Sequence, residues 1–183
     1  MQPYVTSFDL GILGLLVVLA CLFCLSAMIT RQIVAPDWRA LRPGPGHWFA
    51  ALGSTAISAL VAWVYIFVGS ARRDAAFQMQ VAFYLSVAFG LCAIYSAWRV
   101  RAIKRENIRW RGTRIMHSQR DGDDRMHDGG SAVAWWKTLS GLYAMRFADG
   151  STLYIDPFTK GSDEFAGRFG PPENAGDIDR PQA

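Results

Sequence analysis

LGILGLLVVLACLFCLSAMI, residues 10–29, runs for about 20 positions without a charged side chain, enough helix at about 1.5 Å per residue to cross a hydrocarbon core of roughly 30 Å. WFAALGSTAISALVAWVYIFVG (48–69) and FQMQVAFYLSVAFGLCAIYSAW (77–98) repeat the pattern. The chain therefore reads as a short flank, 1–9, and a three-helix transmembrane anchor, 10–98. A secretory signal is the competing reading of the first run. However, Met1 to Asp9 holds no Lys or Arg, and Ser26-Ala27-Met28 passes into Ile29-Thr30-Arg31 without a cleavage pattern, which favours a retained anchor.

Charge sets the expected orientation. The net charge is +4, and the mean hydropathy of +0.13 averages an apolar first half with a polar remainder. The first loop carries Arg31, Arg39 and Arg42. The second carries Arg72 and Arg73 beside Asp74, and the segment after the third run carries Arg99, Arg101, Lys104, Arg105, Arg109, Arg111 and Arg114. Cations are retained on the cytoplasmic side, so the pattern places the N-terminus outside and the C-terminal region inside, with Arg72 and Arg73 dissenting. In the basic juxtamembrane connector, 99–106, Arg99, Arg101, Lys104 and Arg105 are candidate contacts for anionic membrane lipids at roughly 1 kcal/mol per cation. A role in topology alone also accounts for them. Beyond Arg114 the chain turns mildly acidic, which argues against a nucleic-acid partner.

Within lipid, helices associate through small side chains. Ala50, Ser54, Ser58 and Ala62 recur every four residues on the second run, and Ala82, Ser86 and Gly90 on the third, continued by Ala93 and Ala97. These candidate packing faces meet either each other, as an antiparallel hairpin, or a membrane protein partner or second copy. No Asp, Glu, Lys, Arg or His interrupts the spans, which argues against a channel or proton-coupled transporter formed by this chain alone. Cys21, Cys24 and Cys92 all fall inside the spans and read as small packing groups. The Leu41 to Gly46 stretch, with two prolines, ends a surface-lying loop that begins at Thr30, in which Trp38 dips into the interface.

After the connector the period changes to two. Ile108 and Trp110 alternate with Arg109 and Arg111, and Tyr143, Met145 and Phe147 alternate with Ala144 and Arg146 before Asp149-Gly150. Asp-Gly predicts a hairpin. Pro157 ends its second strand, and Ser162 is the expected N-cap of a short helix in which Phe165 and Phe169 face the sheet. Residues 170–183 lack the apolar surface to fold alone and read as a disordered tail. Trp135 and Trp136 are adjacent in a strand and point to opposite faces. One packs with Leu139, Met145 and Phe147, and the other is available to a partner. Trp110, Trp135 and Trp136 are the candidate partner surface.

The order of basic strand (Ile108 to Gly112), aromatic strand (Val133 to Leu139), DG hairpin (Phe147 to Leu153) and terminal helix (Gly161 to Phe165) resembles the small bacterial pleckstrin-homology-like domains found behind membrane helices. The resemblance covers 107–169. It implies a small cytosolic α+β module, an antiparallel partial barrel with a short C-terminal helix rather than the complete seven strands, and a role as adaptor or scaffold.

The loop His117 to Gly130 gathers possible ligands, but Arg125 stands where a calcium loop starting at Asp121 needs an oxygen, and the distal Glu spacing fails. His117 and His127 with an Asp would hold a transition metal only if the loop closed on it, so a solvated hairpin loop is the expectation. No phosphate-cradling glycine loop and no GxSxG turn is present. The sequence thus points to a non-catalytic membrane adaptor without cofactor or metal. The alternative is an accessory subunit of a respiratory, transport or envelope complex, assembled through its helices.

Overall fold

The computed structural model describes residues 7–67, 76–118 and 124–170. They form two compact units. One comprises the described residues to Arg31 with Pro45–Arg101, the other Gln32–Gly44 with the described residues from Ala102 onward. The arginines of the second loop, the segment 119–123 and the tail beyond Gly170 lie outside the described residues.

The first unit is built on α1 (Ser7–Ile29), α2 (Pro45–Phe67) and α3 (Ala76–Arg105), and all three are long and apolar enough to cross a membrane. Pro45 opens α2 rather than blocking it, because a first-turn proline lacks an N–H that would have had no helical partner anyway. Buried positions fall at Leu13, Ala20, Cys24 and Ala27 on α1, and at Ala51, Ser58, Ala62 and Tyr65 on α2. On α3 they fall at Met79, Ser86, Gly90, Ala93, Ala97 and Val100. These steps of three, four and seven form the narrow seam of helices lying side by side. Leu13 clusters with Tyr65 and Met79, whereas Ala27 clusters with Ala51 and Val100, so the helices run up, down and up. Large residues such as Leu15, Leu22, Leu60, Tyr84 and Leu91 are exposed, as lipid-facing positions should be. α3 continues through the connector to Arg105, so the basic residues of 99–105 occupy its last two turns, where cations favour the helix dipole.

The second unit has two antiparallel sheets. β1 (Arg39–Ala40), β2 (Ile108–Arg111), β3 (Arg114–Ser118) and β4 (Asp124–Asp128) pair in sequence order, as do β5 (Ala132–Lys137), β6 (Tyr143–Phe147) and β7 (Thr152–Ile155). No strand pairing joins the sheets into a closed barrel among the described residues; Arg42 and Lys160 add an isolated bridge, exchanging N–H···O bonds of 3.1 and 2.7 Å. Ile108, Trp110, Ile115, Trp135, Met145, Phe147, Leu153 and Ile155 meet between the sheets with Leu41, and Phe165 of α4 (Ser162–Phe169) closes the core with its ring edge-on to Trp110 at 5.2 Å.

The loop between α1 and α2 does not lie apart on a membrane surface: it supplies β1 and the core residue Leu41. Arg39 pairs with Trp110 and Ala40 with Arg109. Gln32 donates from Nε2 to the Leu41 carbonyl (2.7 Å) and to Asn107 Oδ1 (2.8 Å), while Asn107 Nδ2 donates to the Ile33 carbonyl (2.9 Å). The β-rich fold therefore begins before 107, and this loop raises its strands to seven.

Local chemistry accounts for two further departures. The β6–β7 turn forms where Asp-Gly predicts it, but only Gly150 adopts a positive φ, 82°; the Asp149 carboxylate instead accepts from Ser151 N (2.9 Å) and Oγ (2.5 Å). At α4 the N-cap is Gly161, with φ 96°, because the Ser162 hydroxyl donates back to the Pro157 and Thr159 carbonyls, each at 2.8 Å.

Candidate functional site

The helix-packing candidates divide by geometry. Ser58 Oγ donates to the Ser86 carbonyl at 2.9 Å and Ser86 Oγ returns a bond to the Ser58 carbonyl at 3.0 Å. A Cβ on Gly90 would stand 3.2 Å from Ser58 Oγ, so glycine is what allows α2 and α3 their close approach there. Ser58, Ala62, Ser86 and Gly90 are buried in the bundle, Ser54 and Ala82 are half-buried, and Ala50 is exposed. A stripe of period four drifts by about 40° per step around a helix of 3.6 residues per turn, which carries Ala50 off the seam and brings Ala51 onto it.

On the β-rich unit the three candidate tryptophans separate. Trp110, 1% exposed, and Trp135, 9% exposed, belong to the core, and their indole N–H groups are buried without an acceptor among the described residues. Leu139 does not join them: β5 ends at Lys137, and Leu139 is 96% exposed in the turn that follows. Trp136 takes the opposite face. It stands in register with Ala144, which is in register with Tyr154, so two aromatic rings flank a fully buried alanine on the outward side of the sheet. Trp136 is half-buried and Tyr154 exposed.

β5 is also an edge strand. It pairs with β6 along one side, has no partner strand along the other among the described residues, and carries a bulge at Val133. Beside it runs an open groove of about 450 Å³, lined by Val133 and Trp135 of β5, Thr113, Gly129, and Arg168 and Phe169 of α4. An edge strand in a groove presents N–H and C=O groups to an added strand, and the neighbouring aromatic faces provide side-chain anchors.

The histidines of the expected hairpin loop stand on its two paired strands, and the segment between them, 119–123, lies outside the described residues. His117 and His127 lie on β3 and β4, with Ile115 opposite His127 and His117 opposite Arg125. The His127 ring stacks on Phe147 with centroids 4.2 Å apart and planes 8° apart, and its Nδ1 is 3.4 Å from Ser151 Oγ and 3.7 Å from Asp149 Oδ2. Burial pushes His127 below the usual imidazole range; the Asp149 carboxylate opposes that shift and Arg125 adds to it. His117 is also lowered, first by burial and then by His127 and Arg125. Bonds from the Ser151 hydroxyl and N–H hold Asp149 below the ordinary carboxylate value. Among the described residues no three His, Cys, Asp or Glu side chains converge as a metal would require; Asp121 and Asp123 lie outside them. The arrangement joins the two sheets through the imidazole of His127 stacked on Phe147.

Arg99, Arg101 and Lys104 are half-buried near the end of α3, and Arg105 is exposed. Edge strand β5 and the groove were not legible in the sequence, since strand order is set by distant pairing. A scan of protein-family models and searches of curated proteins and of solved structures each returned no match.

Proposed function

We propose that this chain is a non-catalytic, multi-pass adaptor of the bacterial inner membrane, with its N-terminus outside and its β-rich unit presented in the cytoplasm to a protein partner. Edge strand β5 carries the reading: one backbone edge without a partner strand among the described residues opens on a groove, and Trp136 with Tyr154 lies on the face beside it. Aromatic side chains around a strand that accepts another strand are the ordinary composition of an energetic anchor. Seven antiparallel strands in groups of four and three, followed by a helix, support the pleckstrin-homology-like reading of this unit. The basic end of α3 supports the orientation.

Assembly into a larger complex through the helices is the competing role. It requires a free small-residue face, and Ser58, Ser86 and Gly90 are turned toward one another within the bundle.

The test is mild-detergent purification of the tagged chain from its native host, with stoichiometry by mass spectrometry, beside Trp136→Ala and Gly90→Leu variants. The adaptor reading requires a stoichiometric partner that Trp136→Ala loses while far-UV circular dichroism and melting stay unchanged. A partner retained by Trp136→Ala and lost by Gly90→Leu would move the interface into the membrane and overturn it.

A further inference from the structure

Several apolar side chains of the β-rich unit stand exposed outside its core and groove, Leu139 and Met126 among them, and two of these, Ile33 at 81% and Phe158 at 77%, lie close to the joints with the helices. Chain connectivity gives their location. This unit passes into the helices at three joints, Arg31–Gln32, Gly44–Pro45 and Arg101–Ala102. Ile33 is one residue from the first, and its carbonyl is bonded by Asn107 just beyond α3. The Phe158 carbonyl packs on the Cα of Gly44, closely enough that a Cβ there would clash with it, and Gly44 immediately precedes α2. Gly44 stands four positions before Trp48, where the apolar run begins, so at about 1.5 Å per residue it lies within about 6 Å of that run along the chain.

Cations accompany the apolar pair. Arg42 and Lys160 are bridged backbone to backbone, both are exposed, and each is two residues from Gly44 or Phe158. The carboxylate of Asp156 in the same turn is engaged by the Phe158 N–H at 2.9 Å. Apolar side chains flanked by Arg and Lys at headgroup depth are the composition of an interfacial anchor on anionic lipid.

We propose that Ile33 and Phe158 insert into the headgroup layer of an anionic bilayer, with Arg42 and Lys160 at its phosphates. The contact is separate from α3 and its basic end, and does not depend on a protein partner.

The full chain, with Cys21, Cys24 and Cys92 changed to Ala and a single nitroxide-labelled cysteine at 33, 158 or 139, is placed in nanodiscs of phosphatidylcholine with or without phosphatidylglycerol. Power-saturation spectroscopy then compares collisions with oxygen and with a water-soluble nickel chelate. Labels at 33 and 158 should favour oxygen and sit deeper when phosphatidylglycerol is present, whereas the label at exposed Leu139 favours the chelate. A label at 158 that reads like the one at 139 overturns the proposal, as does equal depth in the two lipids. A second measurement keeps the native cysteines. In mixed-lipid discs, trypsin should cut after Lys160 several-fold more slowly than after Lys137, and Phe158→Asp should abolish the difference; equal rates in the parent chain would sink the idea.

Discussion

At the scale of single residues, His127 is the side chain whose setting the sequence could not supply. DRMHD reads as polar loop, yet pairing with Ile115 turns His127 inward onto Phe147. Its folded pKa is lowered, chiefly by burial, and that of His117 is lowered too. The unfolded chain therefore takes up protons at a higher pH than the folded one. The stabilisation is complete above the unfolded value of about 6.5 and is lost as pH falls from there toward the folded values. Thermal unfolding of the detergent-solubilised protein should accordingly show a falling midpoint as pH drops from about 7.5 to about 6, a window in which ordinary carboxylates stay ionised. His127→Phe keeps a ring against Phe147 and removes one titration, so its midpoint should vary less over the same window. An equal slope in the two proteins would show that His127 is not the group being protonated.

At the scale of elements, α2 and α3 are joined by two reciprocal serine bonds, each contributing about 0.6 kcal/mol and at most roughly 1.7 kcal/mol in a membrane. Ser58→Ala with Ser86→Ala should cost about 1–2 kcal/mol of bundle stability by steric trapping in bicelles, and the two single changes should be close to additive, because each hydroxyl bonds a backbone carbonyl that the other substitution leaves in place. Single variants as stable as the parent chain would contradict the two bonds. The loop before α2 behaves as part of the β-rich fold. Leu41 is 2% exposed in that unit's core, so Leu41→Ala should cost about 2–5 kcal/mol, read as a lower denaturant midpoint in the tryptophan fluorescence of the full chain in nanodiscs. A loop lying separately on the membrane surface would tolerate the change. Sequence reading missed β1 because Arg39–Ala40 is too short to show alternation and its partner, β2, lies beyond two helices. It found β6 and β7 because their alternation and the Asp-Gly turn are local.

At the scale of the whole molecule, β1 and β2 impose a parity condition. Two helices separate them, and they pair only if both strands lie on the same side of the membrane, so α2 and α3 must both cross or neither may. The three charge-free runs meet that condition. The proposed orientation predicts that green fluorescent protein fused after the β-rich unit fluoresces, while alkaline phosphatase at the same point stays inactive; the reverse pair of results would invert the chain. The sequence by itself determined the three membrane-length helices, since the absence of charge over about 20 residues is sufficient in lipid. It also determined the hairpin at Asp149-Gly150 and the inward set Tyr143, Met145 and Phe147, because period and turn chemistry act over a few residues. Only the tertiary structure decided that Arg39–Ala40 completes the first sheet, that His127 lies stacked while Leu139 lies exposed, and that β5 stands at a sheet edge among the described residues. Each of these depends on which distant segment fills the adjoining space, and that pairing is set by closure of the whole core rather than by any local run of residues.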